Sequence, residues 1–271
     1  MKKLVFALLY CVGAVRLATW WHRKRVRILC YHGVTERPAR SPKDPAGLHV
    51  RLDRFETHLE YLQRNFNVVS LQEFLAAKLA GRKLPDYTVA LTFDDGYRNF
   101  LTVAAPHLSL RQMPATVYLI TDRVSSGAAE SAEDRWSETD DEGFLSWDEA
   151  RRLQNDFGIE FGSHSCSHPK LTSLTPDEVT REFKESQTLI ARNLNKGAMT
   201  FAYPYGDYNR AIAEQARQSG YTCAVTTDEG VNDQSTGVFA LRRTLIGDDD
   251  DRISFAVRVS GVTSWLRFKS S

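Results

Sequence analysis

The sequence has no surplus of either charge, no closely spaced cysteine pair, no internal repeat and no unbroken apolar run long enough to cross a bilayer. Its 35 Lys and Arg stand against 34 Asp and Glu. Without a basic excess, nothing points to nucleic acid as a partner. The four cysteines, Cys11, Cys30, Cys166 and Cys223, are far apart and form no C-x-x-C. Neither a disulfide framework nor a zinc ribbon is indicated. The longest apolar run, Leu4 to Val15, falls short of the ~20 residues a spanning helix needs. What is present is 271 residues, ample for one larger α/β domain with a substantial core.

The N-terminus reads as membrane-directed. Lys2 and Lys3 precede the apolar run, Arg16 interrupts it, Leu17 to Trp21 follow, and Arg23, Lys24, Arg25 and Arg27 close it. The length suits a signal-peptide core, but no A-x-A cleavage site follows. Trp20 and Trp21 beside the basic cluster suit a membrane interface. We expect residues 1–24 to be an anchor, an uncleaved signal or an interfacial helix, ahead of one domain at 25–271. Both flanks are positive, so the charge pattern does not choose an orientation. A buried first helix of the domain is the competing explanation.

From residue 27 onward, apolar strand-like runs alternate with helical patterns. The strands are expected at 27–31, 89–93, 115–120, 159–162, 199–203, 221–226 and 240–245. Ser70 with Glu73, Ser146 with Glu149 and Thr175 with Glu178 have capping-box spacing. Residues 122–143 read as a polar surface loop. The acidic run Asp248 to Asp251 reads as a helix start. Seven alternating strands imply a parallel, barrel-like α/β fold, in which chemistry gathers at the C-terminal ends of strands. His32, Asp94-Asp95, His164 to His168, Tyr203 to Gly206 and Arg242-Arg243 all fall there.

The stretch that carries chemistry is Thr92-Phe93-Asp94-Asp95-Gly96, a buried strand ending in two carboxylates. An Asp-Gly turn alone would explain it about as well. The second stretch is His164-Ser165-Cys166-Ser167-His168-Pro169. Histidines at i and i+4 can share one side of a helical turn, and one carboxylate would complete a His-His-Asp set. The other carboxylate is then free to act on water. For both aspartates to face one site the chain must bend there, which Gly96 eases. Either stretch alone is weak or moderate as a signal; together, at expected strand ends, they are strong. Zinc suits two histidines and a carboxylate, as do cobalt, nickel and iron. Cys166 reads as loop filler, and His49, His58 and His107 as surface or helix-face residues. Trp147 reads as core. Tyr203 and Tyr205 are candidates to line a sugar site, although packing explains Tyr203 nearly as well.

These stretches resemble the polysaccharide deacetylase (NodB-homology) family of carbohydrate esterases. Thr92–Gly96 is similar to its first motif, His164–Pro169 to its second, and Tyr203-Pro204-Tyr205-Gly206 to the end of its third, over roughly residues 28–246. The resemblance implies a distorted (β/α)7 barrel and a catalytic domain at 25–271. It implies Asp94 as general base, Asp95, His164 and His168 as ligands of a divalent metal, usually zinc, and the Tyr205 backbone N–H as oxyanion donor. The reaction implied is removal of an N-acetyl (N-acyl) group from an amino sugar, in an envelope polysaccharide or a lipid-linked glycan. The expected place is the bacterial envelope, at the inner membrane.

Two family features are missing. The usual arginine two residues before the motif-three proline is Ala202, and no histidine follows His168. Tyr31-His32 and the Phe201–Gly206 form of motif three resemble the branch acting on poly-N-acetylglucosamine, where an early histidine takes the acid role. By that resemblance His32 is the general acid. Arg242 or Arg243, with Arg243 carried forward, takes over the orienting of Asp94. Deformylation of a lipid-linked formamido sugar would use the same chemistry. A glycan-binding protein without catalysis would keep the fold but have no use for Asp94.

Overall fold

The computed structural model describes residues 2–36, 47–125, 143–194 and 199–263. Two helices, α1 (Lys2–Cys11) and α2 (Ala14–Trp21), precede β1 (Arg27–Tyr31). Two short strands, β2 (Val34–Thr35) and β3 (Val50–Arg51), pair with each other, and α3 (Leu52–Asn65), β4 (Asn67–Val68) and α4 (Leu71–Leu79) follow. Then come β5 (Thr88–Phe93), α5 (Ala105–Leu110), β6 (Thr116–Leu119), α6 (Trp147–Phe157) and β7 (Glu160–Ser163). The last described elements are α7 (Pro176–Asn193), β8 (Thr200–Ala202), α8 (Arg210–Gln218), β9 (Cys223–Val225), β10 (Thr244–Leu245) and α9 (Arg252–Ser260). Much of the expected loop at 122–143 lies outside the described residues.

The main sheet runs β10-β1-β5-β6-β7-β8-β9, and every pairing in it is parallel. Parallel strands covered on both faces are apolar throughout, and β1 and β5 are buried at every position. A short strand the sequence did not suggest, β4, pairs with the start of β5, while β6 pairs with its end. Leu241 bridges Val225 in parallel, which curls the sheet back from β9 toward β10. The result is the expected distorted (β/α)7 barrel.

The last strand is shorter than the expected 240–245. Its early ladder positions are taken by Asn232, whose side chain accepts from Arg242 N and donates to Arg242 O, at 2.9 and 2.8 Å. Helix starts follow the sequence closely. Ser146 and Thr175 form full capping boxes with Glu149 and Glu178, and Asp251 caps α9. The rest of the acidic run does more than start a helix. Asp250 is buried in an ion pair with Arg258 at 2.6 Å.

Helices α1 and α2 fold back on α9. Phe6, Val15 and Ala18 are buried against Ala256, Val257 and Val262. The fully buried Arg27 joins the two ends. Its guanidinium donates to the carbonyls of Thr19 and His22 at the end of α2, and of Val259 and Ser260 at the end of α9. A cation at two helix C-termini satisfies carbonyls that no helical N–H reaches. Burial pushes the Arg27 side chain down to about 10, so it stays charged.

His58 is fully buried, not on a surface face, because it shares the inward stripe of α3 with Phe55, Leu59 and Leu62. Its Nε2 lies 2.6 Å from the Asp250 carbonyl and therefore carries the proton, so Nδ1 accepts from Tyr31 Oη at 3.3 Å. Burial outweighs the Asp250 hydrogen bond and pushes this imidazole down to about 4. The unfolded chain therefore binds a proton here that the folded chain refuses. The stability contributed is complete above about pH 6.5 and is lost as pH falls toward 4, by roughly 2–3 kcal/mol. Urea unfolding at a series of pH values should show this slope, and His58→Gln should flatten it. An unchanged slope in the variant would remove His58 as its source.

Candidate active site

The end of β5 sets the site. Thr92 Oγ1 donates to the Leu29 carbonyl and Asp94 N to the Tyr31 carbonyl, at 2.7 and 2.9 Å, so Asp94 still sits on the sheet beside β1. The chain then turns sharply. Asp95 has φ +71° and Gly96 φ +77°. A side chain at Gly96 would also meet Leu119 Cδ2 at 2.7 Å. The bend anticipated from the sequence is thus made by Asp95 itself and continued by a glycine that nothing larger can replace without strain.

Arg243 meets Asp94 in a bidentate pair, Nη1 to Oδ1 and Nη2 to Oδ2, both 2.7 Å. Both side chains are buried. The guanidinium also donates to the Thr226 carbonyl at 2.8 Å and Thr92 Oγ1 at 3.2 Å, and the Cys30 thiol donates to Asp94 Oδ2 at 3.3 Å. Burial would raise the Asp94 carboxyl, but Arg243 and then His164 outweigh it and hold it well below the usual carboxylate range. Arg242, the other sequence candidate, lies instead beside Gly230.

His164 leaves the end of β7, where its N–H donates to the Leu119 carbonyl at 2.8 Å. Its Nδ1 lies 2.7 Å from the Ala202 carbonyl. A carbonyl only accepts, so Nδ1 carries a proton there and Nε2 is the nitrogen that faces Asp95 and His168. His168 comes from a loop rather than the helical turn its spacing suggested. Ser165 and His168 take φ +65° and +63°, and these two reversals bring the imidazoles together, with Nε2 atoms 3.2 Å apart. Burial and the neighbouring His164 push His168 down to about 4, so His168 is neutral near pH 7.

One residue that the sequence did not single out holds this loop. Glu182 on α7 is buried and accepts from Cys166 N, Ser167 N and Ser167 Oγ at 2.8, 2.9 and 2.7 Å. The one sequence signal was a carboxylate on the helix stripe of Val179, Phe183, Ser186 and Ile190, all buried. Cys166 is more than filler, since its thiol donates to Asp122 Oδ1 at 2.9 Å.

Asp95 Oδ1 lies 3.5 Å from His164 Nε2 and 3.7 Å from His168 Nε2. That oxygen is buried with no hydrogen-bond partner. A buried carboxylate oxygen left unpaired is costly, and here it faces the Nε2 atoms of two imidazoles. One donor atom from each of the three residues lies within 4.8 Å of the others. Two imidazoles and a carboxylate are a donor set for a divalent transition metal, so these residues fit such an ion.

His32 follows β1, half-buried, with Nδ1 unpaired and close enough to Asp94 for its charge to act there. Tyr205 is mostly exposed, has φ +59° and packs its ring against His168 with the ring centroids 4.6 Å apart. Tyr203 is fully buried, donates to the Phe239 carbonyl at 3.1 Å and stacks on Tyr208, so it does not line the site. A cavity of about 670 Å³ bordered by Arg51, Arg54, Tyr61 and Arg252 contains no residue of this cluster.

Two variants probe this geometry. Arg243→Met leaves the Asp94 charge buried without its partner and should cost about 3–5 kcal/mol in denaturant unfolding. A cost below about 1 kcal/mol would contradict the pairing. Glu182→Ala should speed amide exchange at residues 166–168 and leave the β1 and β5 amides protected. Equal protection in both proteins would remove the clamp.

The model of the family described as polysaccharide deacetylase matches residues 81–224, a span that holds all three motifs. The Bacillus subtilis protein YxkH is 27% identical over 220 residues, covering 78% of this chain and 73% of its own. The poly-beta-1,6-N-acetyl-D-glucosamine N-deacetylase of Escherichia coli is 26% identical over 268 residues. That match covers 89% of this chain but 39% of the relative, so the chain spans well under half of that protein. Among solved structures, the Streptococcus pyogenes deacetylase PplD in complex with acetate is 27% identical with a TM-score of 0.74, covering 87% of this chain and 98% of that one. With its barrel, its motifs and this match over more than half its length, the chain belongs to the polysaccharide deacetylase family.

Proposed function

We propose that this protein is a metal-dependent N-deacetylase acting on amino sugars of an envelope polysaccharide. The observation that carries the reading is the division of labour between two adjacent carboxylates. Asp95 Oδ1 faces the Nε2 atoms of both imidazoles, while both oxygens of Asp94 are held by a buried arginine, with Oδ2 3.9 Å from His164 Nε2. A protein that only bound a metal or a sugar would have no use for Asp94 in that state. Relatives named for poly-beta-1,6-N-acetyl-D-glucosamine support a polymeric N-acetylglucosamine substrate, and the apolar, basic N-terminus supports a place at the bacterial inner membrane. Residues 1–24 are then the membrane-directed segment and residues 25–271 the catalytic domain. A lipid-linked glycan would meet the same site.

In this mechanism Asp95, His164 and His168 hold the ion, for which zinc is our assignment. A divalent cation there supplies Lewis acidity to an acyl carbonyl and acidifies water. Asp94, ionised throughout the working pH range, accepts the proton of the attacking water, and Arg243 fixes its direction. The Tyr205 backbone N–H steadies the oxygen that gains charge. His32 gives its proton to the nitrogen as the C–N bond breaks, so one water and one amide become a carboxylate and a free amine with the release of one proton.

Acetate release from β-1,6-linked N-acetylglucosamine oligomers by the full chain tests the reading. Release should be abolished by chelation and restored by zinc. Asp94→Asn should lower turnover about 10²–10⁴-fold with zinc still bound. His32→Ala should lower it by less. Near-normal turnover in Asp94→Asn would overturn the base assignment, and an unchanged rate in His32→Ala would remove that residue from the mechanism.

A further inference from the structure

The helix pair α1–α2 is two-faced. One face is packed on α9 through Phe6, Val15 and Ala18. On the other, Leu4, Leu8, Val12, Leu17, Trp20 and Trp21 are each at least 50% exposed. No single described helix is long and apolar enough to cross a membrane, and the pair bends by 77° at its break, where Gly13 takes φ +78°. The segment carries Lys3, Arg16, Arg23, Lys24 and Arg25 with no acidic residue before Glu36; Lys3, Arg23 and Arg25 also meet Asp251, Asp86 and Asp233 at 3.9, 3.3 and 3.5 Å in exposed ion pairs. The charge balance of the whole chain is near neutral, so the remainder is net negative. The guanidinium of Arg23 lies 4.6 Å over the Trp20 ring, an apolar body beside a cationic head.

We propose that α1 and α2 lie in the plane of an anionic lipid surface as a fixed part of the folded domain, entering one leaflet without crossing it. This rests on the envelope reading above and specifies how the protein meets the membrane. A spanning arrangement would pull α2 away from Arg27, whose guanidinium holds the Thr19 and His22 carbonyls against α9. It would also bare Ala256 and Val257. A second copy of the chain on this face would set one acid-free basic segment against another. An anionic leaflet instead complements the charge, takes the apolar side chains and accepts the tryptophans at its interface.

The test uses the full chain and flotation with two kinds of vesicle, phosphatidylcholine alone and phosphatidylcholine mixed with phosphatidylglycerol. The protein should float with the mixed vesicles, with binding weakened by salt and at least about tenfold weaker on phosphatidylcholine. The exposed triple variant Leu8→Ser, Trp20→Ser, Trp21→Ser should stay unbound, with unchanged melting temperature and acetate release. Alkaline carbonate should strip the wild type from membranes of expressing cells. Failure to float, flotation of the triple variant, or a dimer that the triple variant dissolves would each overturn the proposal. Resistance to carbonate would show a spanning pair and overturn it equally. Acetate release is read separately, so loss of activity with normal flotation would count against the deacetylase reading alone.

Discussion

A buried arginine paired through two hydrogen bonds with a buried aspartate is the constraint on which the site depends. Removing two charges from water costs several kcal/mol each, and only good geometry with further hydrogen bonds offsets it. Arg243 meets that condition by reaching Asp94, Thr92 and the Thr226 carbonyl together. These partners lie on β5 and just beyond β9, while Arg243 itself enters β10. The ion pair therefore ties the middle of the sheet to its curled-back edge. It also fixes where Asp94 sits, with both oxygens held by Arg243 and Oδ2 3.9 Å from His164 Nε2.

Backbone strain gathers at the same place. Six non-glycine residues among those described have positive φ, and four of them, Asp95, Ser165, His168 and Tyr205, surround the site. Each such residue costs about 1–3 kcal/mol unless its surroundings hold it. The holding groups are visible. Ser165 Oγ accepts from His168 N, and Glu182 grips the peptide between them. The left-handed turn at Asp95 leads directly into Gly96. The rigid barrel supplies positions, and these short strained turns aim the side chains that the positions carry.

Much of this was legible in the sequence because strand ends and motifs coincide. The expected strand 27–31 is found at those residues, and T-F-D-D-G falls at the end of β5. The candidate ligands Asp95, His164 and His168 do converge. Arg243 was legible only through an absence, the alanine at 202 where a family arginine was expected. Both Arg243 and His32 lie outside the stretch matched by the family model, so the first and last strands complete a site whose middle is shared. Glu182 and His58 were missed for a common reason. A polar residue on an apolar helix stripe looks like noise until its partner, distant in sequence, is known. The H-x-x-x-H spacing suggested a helical turn, and tertiary hydrogen bonds imposed a loop instead. Helices α1 and α2 are mostly apolar, broken by Arg16, and periodicity in so short a run does not tell which face meets α9.

The central claim is that two neighbouring carboxylates hold separate tasks, one as a metal ligand and the other held beside it by Arg243. Anomalous diffraction from crystals soaked in zinc tests it most directly. The account predicts one peak bonded to Asp95, His164 Nε2 and His168 Nε2, with Asp94 still paired to Arg243. No peak at these residues, or a peak in which Asp94 has left Arg243 to replace Asp95, would contradict it.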